Sequence, residues 1–553
     1  MQFSGAQIIG ELLEQQGIKT VIGIPGGANL PIYDALHASR LSHVLARHEQ
    51  GAGFIAQGMA RSTGRAAVCL TTSGPGVTNL LTAIADAKSD SVPIVAITGQ
   101  VSTGLMGTDA FQEVDTYGLT LPITKHNFLV RKARDLLDVI PESFRIAESG
   151  RPGPVVIDVP KDVQTEIVGF ERWPEPWTSQ LPVCNRSADI EQLVDIIHRA
   201  KRPVICVGGG VIASGCAEAL ARVVRTNSIP IASTLMGLGS YPGDDRLFIG
   251  MVGMHGARHT NHILEESDLL LALGMRFDDR ATGDAREFCK YALVIHVDID
   301  HSEVDKTRTS NYSIVGDVGA FVHSLAEVIV ADRRLEWNSR IDQIRATYPH
   351  ILPTDDNLTH PVNLLNQVSR LVASNAIITT DVGQHQMWVA QAYPFRHPRT
   401  LLTSGGLGTM GFGLPVAIGA ALANPDRRVV CVSGDGSFLM NIQELATLAE
   451  QNVKVTVIIM NNRHLGLVRQ QQELFYGNRV IAAQLEAALD YAAVARAFGI
   501  PGYDLGLSTD PIRTLDMALS AVGPNVVNVP IDPYANVYPM VPPGSANRVM
   551  IGG

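Results

Sequence analysis

An aspartate and an asparagine 27 residues apart carry the first chemical signal in this chain. They lie in RRVVCVSGDGSFLMNIQELATLAEQNVKVTVIIMNN, which runs from Arg427 to Asn462. Val429–Val432 is a short β-branched run of the kind that forms a buried parallel strand. Gly434-Asp435-Gly436 predicts a sharp glycine turn. Ile442, Leu445, Leu448 and Ala449 then recur at helical spacing, and Val455–Met460 predicts a second buried strand ending at Asn461-Asn462. In a right-handed βαβ unit both strands end at the same edge of the sheet, so Asp435 and Asn462 are expected to meet. One carboxylate, one amide oxygen and the backbone carbonyl of His464 make a hard oxygen donor set, suited to a Mg²⁺ ion that also holds diphosphate oxygens. The glycines allow backbone N–H groups to approach those phosphates. Taken alone, GDG is an ordinary tight turn. The strand-ending asparagine pair is what makes it a candidate site.

Glu49 is the second candidate. It follows the apolar run HVLARH and precedes the helical pattern GAGFIAQGMA, which puts a carboxylate at the carboxyl edge of a sheet, where ligands of α/β proteins bind. By itself a glutamate here is more often an N-terminal helix charge than a catalyst.

The elements that must position these groups follow from composition and pattern. The chain has 553 residues, 46% hydrophobic and 18% charged, with 51 glycines and a formal net charge of −10. This describes a well-buried α/β protein of three or four units at about 150 residues per domain. With no long basic run, nucleic acid is not an expected partner. No apolar run reaches the ~18 residues of a membrane span. The N-terminal MQFSGAQIIGELLEQQG reads as an amphipathic helix and not a signal peptide. Cys69, Cys184, Cys206, Cys216, Cys289 and Cys431 include no CxxC pair, so buried, reduced thiols and a cytoplasmic location are expected. Strands alternate with helices in three segments, implying three doubly wound parallel sheets. The expected domains are residues 1–165, 188–331 and 362–553. A Pro- and Trp-rich crossing linker (about Val163 to Ala188) and an irregular lead-in (about residues 332–361) separate them. The first and third segments have a similar build and read as duplicated domains.

GDG followed by NN resembles the diphosphate motif of thiamine-diphosphate enzymes. RHEQGAGFIAQG, TSGPGVTNL, GTDAFQEVDTYG, SGRPGPVVIDVPKD, DVGQHQMW, SGGLGTMGFGLP and YPMVPPG extend the likeness over the whole chain. Together they resemble the acetohydroxyacid (acetolactate) synthase family, large catalytic subunits, and most nearly its isozyme I type. The resemblance implies a first domain binding the thiamine pyrimidine, a central domain binding FAD in a non-redox role, and a third domain binding thiamine diphosphate with Mg²⁺. It also implies pyruvate and 2-oxobutanoate as substrates, a homodimer or higher assembly, and a small regulatory subunit as a possible partner. The products would be 2-acetolactate and 2-aceto-2-hydroxybutanoate, on the way to valine, leucine and isoleucine.

Site roles come with it. Glu49 corresponds to the carboxylate bonded to N1′ of the aminopyrimidine, favouring the imino tautomer that removes the C2 proton. Gly27 corresponds to a residue near that ring, and Phe111, Gln112 and Lys161 to the substrate funnel. Gly408 and Met410 correspond to the loop that props the cofactor into its bent shape, and Gln384 and His385 to diphosphate neighbours. Gly434, Asp435, Gly436, Ser437, Asn462, His464, Gly466 and Leu467 complete that site, with Asp435, Asn462 and His464 as metal ligands. For FAD the matching positions are Arg151, Gly208, Gly209, Gly210, Thr234, Leu235, Met236, Met254, His255, Gly274, Arg276, Asp278, Arg280, Asp298, Ile299, Asp317 and Val318. A GGG after a strand is weak evidence alone, whereas Asp298 at the tip of ALVIHVDID suits an acid receiving a ribose or flavin hydroxyl. Arg280 resembles the guanidinium that pairs with the second substrate's carboxylate. Without the family it reads as an ion pair with Asp278 or Asp279.

Two positions depart from the commoner pattern. Gln471 stands where most members have Trp, a residue credited with favouring 2-oxobutanoate, and Ser102 stands where most have Pro. Among rival readings, glyoxylate carboligase lacks the activating glutamate that Glu49 supplies. A pyruvate oxidase would bleach its flavin on meeting pyruvate without oxygen. A non-catalytic subunit would not need intact Glu49, Asp435 and Asn462.

Overall fold

The computed structural model describes residues 1–178, 188–349, 353 and 355–552. Among the described residues, twenty strands form three six-stranded parallel sheets and one short ribbon. The N-terminal third holds β1 (Gln2–Ser4), β2 (Thr20–Gly23), β3 (Ser42–Leu45), β4 (Ala67–Thr71), β5 (Ile94–Gln100), β6 (His126–Leu129), β7 (Val155–Pro160) and β8 (Ile167–Gly169). The middle holds β9 (Pro203–Val207), β10 (Ile231–Ser233), β11 (Phe248–Met251), β12 (Leu269–Leu273), β13 (Leu293–Asp298) and β14 (Tyr312–Val315). The C-terminal third holds β15 (Ile377–Thr380), β16 (Leu401–Leu402), β17 (Val429–Gly434), β18 (Val455–Asn461), β19 (Gly502–Asp504) and β20 (Asn525–Pro530). Apolar runs such as IVAITGQ and VTVIIMN are buried along nearly their whole length, as parallel strands covered on both faces must be.

Strand order locates the clefts. The first sheet runs β3-β2-β4-β5-β7-β6 and the third β16-β15-β17-β18-β20-β19. Counted from its own first strand, each has the same permutation, in agreement with the expected duplication. The middle sheet runs β11-β10-β9-β12-β13-β14, the 3-2-1-4-5-6 order of dinucleotide-binding sheets. Ligands of such sheets sit outside the carboxyl ends of the strands where the winding reverses. Those points are β2/β4, β9/β12 and β15/β17.

Three sequence expectations are corrected. The chain does not open as a helix: β1 pairs antiparallel with β8, and the Gly5–Gln15 helix starts only after Ser4, whose side chain caps it. The segment from Val163 is not a bare linker either. Besides β8, it sends Phe170 and Trp173 onto Phe3, with ring centroids 5.9 and 5.1 Å away, so its aromatic residues are packing groups of the first domain. The remainder, 179–187 with Cys184, lies outside the described residues. The lead-in after residue 331 contains a helix, Leu335–Thr347. Its Trp337, Ile341 and Ile344 are buried in the core of the middle sheet, and Trp337 Nε1 donates to the Pro203 carbonyl at 3.1 Å. Its polar remainder hid a stripe of one residue per turn. The sharp turn expected at GDG is present and is made without positive φ. Gly434 is extended and a helical turn, Asp435–Phe438, begins at the aspartate itself. A Cβ at Gly436 would stand 2.4 Å from Leu465 Cδ2, so close packing and not positive φ requires glycine there.

The first and third domains share one core cluster where they meet. Ala52, Ile55, Leu80 and Ile94 pack in one cluster with Val416, Ile418, Val429 and Val457. Its centre is the crossing of the Glu49–Thr63 and Gly413–Ala423 helices. A Cβ on Gly419 would lie 1.8 Å from the Ile55 carbonyl oxygen, and one on Gly58 2.1 Å from that of Val416. Alanine gains about 1 kcal/mol over glycine in an isolated helix. Here Gly419→Ala is expected to destabilise instead, by about 1–3 kcal/mol or more, because two backbones must move apart. Denaturant titration of the variant checks the sign.

Candidate active site

The third sheet's winding reversal forms a cleft of about 130 Å³. After β15 the chain enters Asp381-Val382-Gly383 and the Gln384–Ala392 helix, and after β17 it delivers Asp435. After β18 it delivers Asn462, His464 and the Gly466–Phe475 helix. Gln384, His385, Met410, Gly434, Asp435, Gly436, Ser437, Asn462, His464, Gly466, Leu467, Val468 and Gln471 all line this cleft. The βαβ argument from sequence therefore places Asp435 and Asn462 as expected.

Their hydrogen bonds hold the donor oxygens in place. Asp435 Oδ1 accepts the Gly436 N–H at 2.9 Å and Oδ2 the Arg463 N–H at 2.6 Å. Asn462 Oδ1 accepts the His464 N–H at 2.9 Å, while its Nδ2 donates to Gln384 Oε1 at 3.2 Å. Gln384 Nε2 donates in turn to Gln470 Oε1 (3.0 Å) and to the Ala535 carbonyl (2.8 Å). Burial pushes the Asp435 carboxyl up to about 6. No cationic side chain hydrogen-bonds it among the described residues; backbone N–H groups and, through space, the Arg463 guanidinium favour its negative charge. A single carboxylate with an amide oxygen and a free carbonyl, facing a cleft, fits a divalent ion that brings its remaining oxygens from a phosphate and water. His385 fits the same ligand. Burial lowers its imidazole to about 3, so it is neutral, and its Nε2 has no partner.

Met410 stands half-buried on the rim, and its loop is gripped from both sides. Asp381, buried and raised to about 6, accepts the Gly411 and Gly413 N–H groups at 2.8 and 3.1 Å. On the other side Asp90, from just beyond the Pro75–Ser89 helix, accepts those of Gly405 and Gly406 at 3.0 and 2.7 Å. Arg61 pairs with both Asp86 and Asp90 at 2.9 Å. Gly408, at the loop's tip, has φ +70° and open space around it. Sequence reading missed Asp381, Asp86, Asp90 and Arg61. Only the D of DVGQHQMW offered a signal.

A second group gathers at the first sheet's reversal. Glu49 opens its helix with His48 as N-cap, and its Oε2 accepts from Asn79 Nδ2 at 2.9 Å. Gln112, with φ +61°, rests its backbone on Gly74, where a Cβ would meet the Gln112 carbonyl at 2.8 Å. Neighbouring Phe111 is 88% exposed, Lys161 begins the short helix after β7, and Gly27 is exposed. None of these five lines the Asp435 cleft. Within one chain, the Asp435 cleft holds only part of the expected site.

The middle sheet's carboxyl ends gather the third group. Gly208, Gly209 and Gly210 follow β9, and Gly274 follows β12, with the Gly210 N–H donating to the Gly274 carbonyl at 3.1 Å. Thr234, Leu235 and Met236 follow β10, Met254 and His255 follow β11, and Asp298 and Ile299 end β13. His255 Nδ1 is buried without a partner, and burial lowers its imidazole to about 4. Burial raises the Asp298 carboxyl. A strand-tip acid beside the reversal of a 3-2-1-4-5-6 sheet, with glycine turns after β9 and β12, fits a dinucleotide. Other members of the group have local partners. Asp317 caps the helix beginning at Val318 by accepting from Ala320. Asp278 accepts the N–H groups of Arg280 and Ala281. Arg151 pairs with Asp300 (3.0 Å) and Glu303 (2.7 Å). Arg276 donates to the Ser89 carbonyl at 2.5 Å. Arg280 is exposed, 3.8 Å from Asp279 and 3.5 Å from the Met254 sulfur.

Comparison with known proteins matches the chain to three family models of thiamine pyrophosphate enzymes. These are the N-terminal TPP binding domain over residues 3–119, the central domain over 190–325 and the C-terminal TPP binding domain over 381–529. The chain is 52% identical to the acetolactate synthase isozyme 1 large subunit of Escherichia coli K12, covering 100% of this chain and 98% of the relative. It is 44% identical to the probable acetolactate synthase large subunit of Methanocaldococcus jannaschii (98% and 94%). It is also 44% identical to the chloroplastic acetolactate synthase of Arabidopsis thaliana (99% and 84%).

Proposed function

The chain belongs to the thiamine pyrophosphate enzymes as an acetolactate synthase large subunit, and we propose that its active centre joins the Asp435 cleft to the Glu49 edge of a second copy. It is an acetolactate synthase: one pyruvate loses CO₂ and its two-carbon remainder is joined to a second 2-oxoacid. The observation that carries the assignment of residues is the cleft itself. It brings Asp435, Asn462, Met410 and Gln471 together while Glu49 stands outside.

Thiamine diphosphate, when bound, supplies a nucleophilic carbon and an electron sink. Asp435, Asn462 and the His464 carbonyl would hold Mg²⁺ against its phosphates, with His385 and Gln384 beside them. Met410 would orient the rings, and Glu49 would hold a proton against the pyrimidine nitrogen. Lys161, Gln112 and Phe111 would receive pyruvate, and Arg280 the carboxylate of the acceptor. FAD would occupy the middle sheet's reversal in a non-redox role. The absence of Glu49 from the Asp435 cleft supports a homodimer. A small regulatory subunit would complete the enzyme, as the relatives' designation as large subunits suggests, and the enzyme would work in the cytoplasm. Among the described residues no helix is long and apolar enough to cross a membrane.

The test is product analysis with pyruvate alone and with 2-oxobutanoate added. Acetolactate with CO₂ release, and a flavin spectrum that stays oxidised, support the reading. Bleaching of the flavin or absence of acetolactate overturns it. The same assay reads the acceptor pocket. Gln471 lines the cleft and offers a polar surface where an indole would be apolar. One methylene in an apolar pocket is worth about 1–3 kcal/mol of discrimination. Wild type should therefore divide between the two acceptors nearly in proportion to their concentrations, and Gln471→Trp should raise the preference for 2-oxobutanoate several-fold. An unchanged ratio would place selectivity elsewhere.

A further inference from the structure

We propose that Glu444 is the positioning residue for Glu49, holding the backbone from which the Glu49 side chain departs. Glu444 opens the Glu444–Gln451 helix of the third domain and is 0% exposed. Its Oε1 accepts the N–H groups of Arg47 at 3.0 Å and His48 at 3.1 Å, the two residues before Glu49. Its Oε2 accepts from Thr447 Oγ1 at 2.7 Å, which fixes the rotation of the carboxylate. On the other side of Glu49, a Cβ at Gly51 would stand 2.3 Å from Glu444 Oε1, so the carboxylate lies flat against the first turn only because residue 51 is glycine. Asn441, three residues upstream, donates to Gln50 Oε1 at 3.3 Å.

Residues 47 to 51 are thus held from the third domain, with Glu49 at their centre. The Arg47 guanidinium is turned away, to Glu450 and the Leu45 carbonyl. A fully buried carboxylate is costly unless its oxygens are hydrogen-bonded. Here those bonds go to the two amides next to a proton-transfer group, not to a cation. An apolar residue could fill the space but would free the Arg47 and His48 amides, and with them the angle at which Glu49 leaves its helix. Misplacing a reacting group by about 1 Å costs about 10²-fold. The inference rests on Glu49 being the cofactor-activating carboxylate, so its test separates the two claims.

Glu444→Ala, Glu444→Gln and Glu49→Gln are to be compared in the assembled enzyme. Amide hydrogen exchange at residues 47 and 48 is read without thiamine diphosphate, and kcat and KM for pyruvate with it. Glu444→Ala is expected to lose at least about tenfold protection at both amides and about 10²-fold in kcat with KM little changed. Glu444→Gln keeps an oxygen at the same place and should restore both. If the alanine variant does not fold, Glu444→Asp, with its carboxylate drawn back one methylene, should show the same losses. Retained protection at both amides, or lost protection with full kcat, overturns the proposal. If Glu49→Gln itself turns over normally, the role of Glu49 falls instead, and the exchange data still report whether Glu444 holds the backbone.

Discussion

Glu49→Gln is expected to fold, to keep its three sheets, and to lose about 10²–10⁴-fold in turnover, the usual effect of removing one proton-transfer group. The glutamine has nearly the same shape, and its amide oxygen can still accept from Asn79 Nδ2, the carboxylate's one side-chain partner at 2.9 Å. The His48 cap and the glycine crossing deeper in the helix do not involve the side chain at all. Stability should therefore change little, so the loss reads the chemistry of the carboxylate. Steady-state turnover measured beside a thermal melt checks both halves. Near-wild-type rates in a folded variant would remove Glu49 from the mechanism.

Asp435→Ala is expected to need at least about 10²-fold more Mg²⁺ and thiamine diphosphate, beyond the 10–100-fold effects of losing an outer-shell group. Among the described residues Asp435 is the only carboxylate lining the cleft, and the remaining donors, Asn462 and the His464 carbonyl, are neutral. The substitution also strands the Arg463 and Gly436 N–H groups that now bond the carboxylate. Activation curves in metal and cofactor give the shift, and unchanged curves would refute the metal assignment. The two variants also complement each other. Mixed under subunit exchange, Glu49→Gln and Asp435→Ala chains should form one intact centre per heterodimer and regain part of the activity. With exchange verified, no recovery would count against centres built across chains.

The Asp435 cleft was legible in the sequence because its logic is local. A buried strand, a helix and a second buried strand fix where Asp435 and Asn462 emerge, whatever surrounds them. The three parallel sheets were legible for the same reason. What stayed hidden depends on contacts between distant segments. Glu444 reads as an ordinary first-turn helix charge until the fold brings it to residues 47 and 48. Asp86 and Asp90 read as surface acids on a helix, yet they grip the loop before Met410. The Leu335–Thr347 helix shows too weak a stripe to stand out, and the ribbon of β1 with β8 joins two three-residue strands that carry no pattern alone. Even GDG owes its second glycine to Leu465, 29 residues on.

The crossing at Gly58 and Gly419 has a consequence during synthesis. The face of the Glu49–Thr63 helix that carries Gly58 is finished early, but the Gly413–Ala423 helix that covers it is made roughly 350 residues later. At about 5–20 residues per second this is a wait of about 20–70 s. Throughout that interval a nascent chain leaves the ribosome with Ile55 and its apolar neighbours uncovered. The middle domain, with cores of its own, can close meanwhile. The first domain is the part of the nascent chain that chaperones should find, and release from them should track completion of the last third and not of the first.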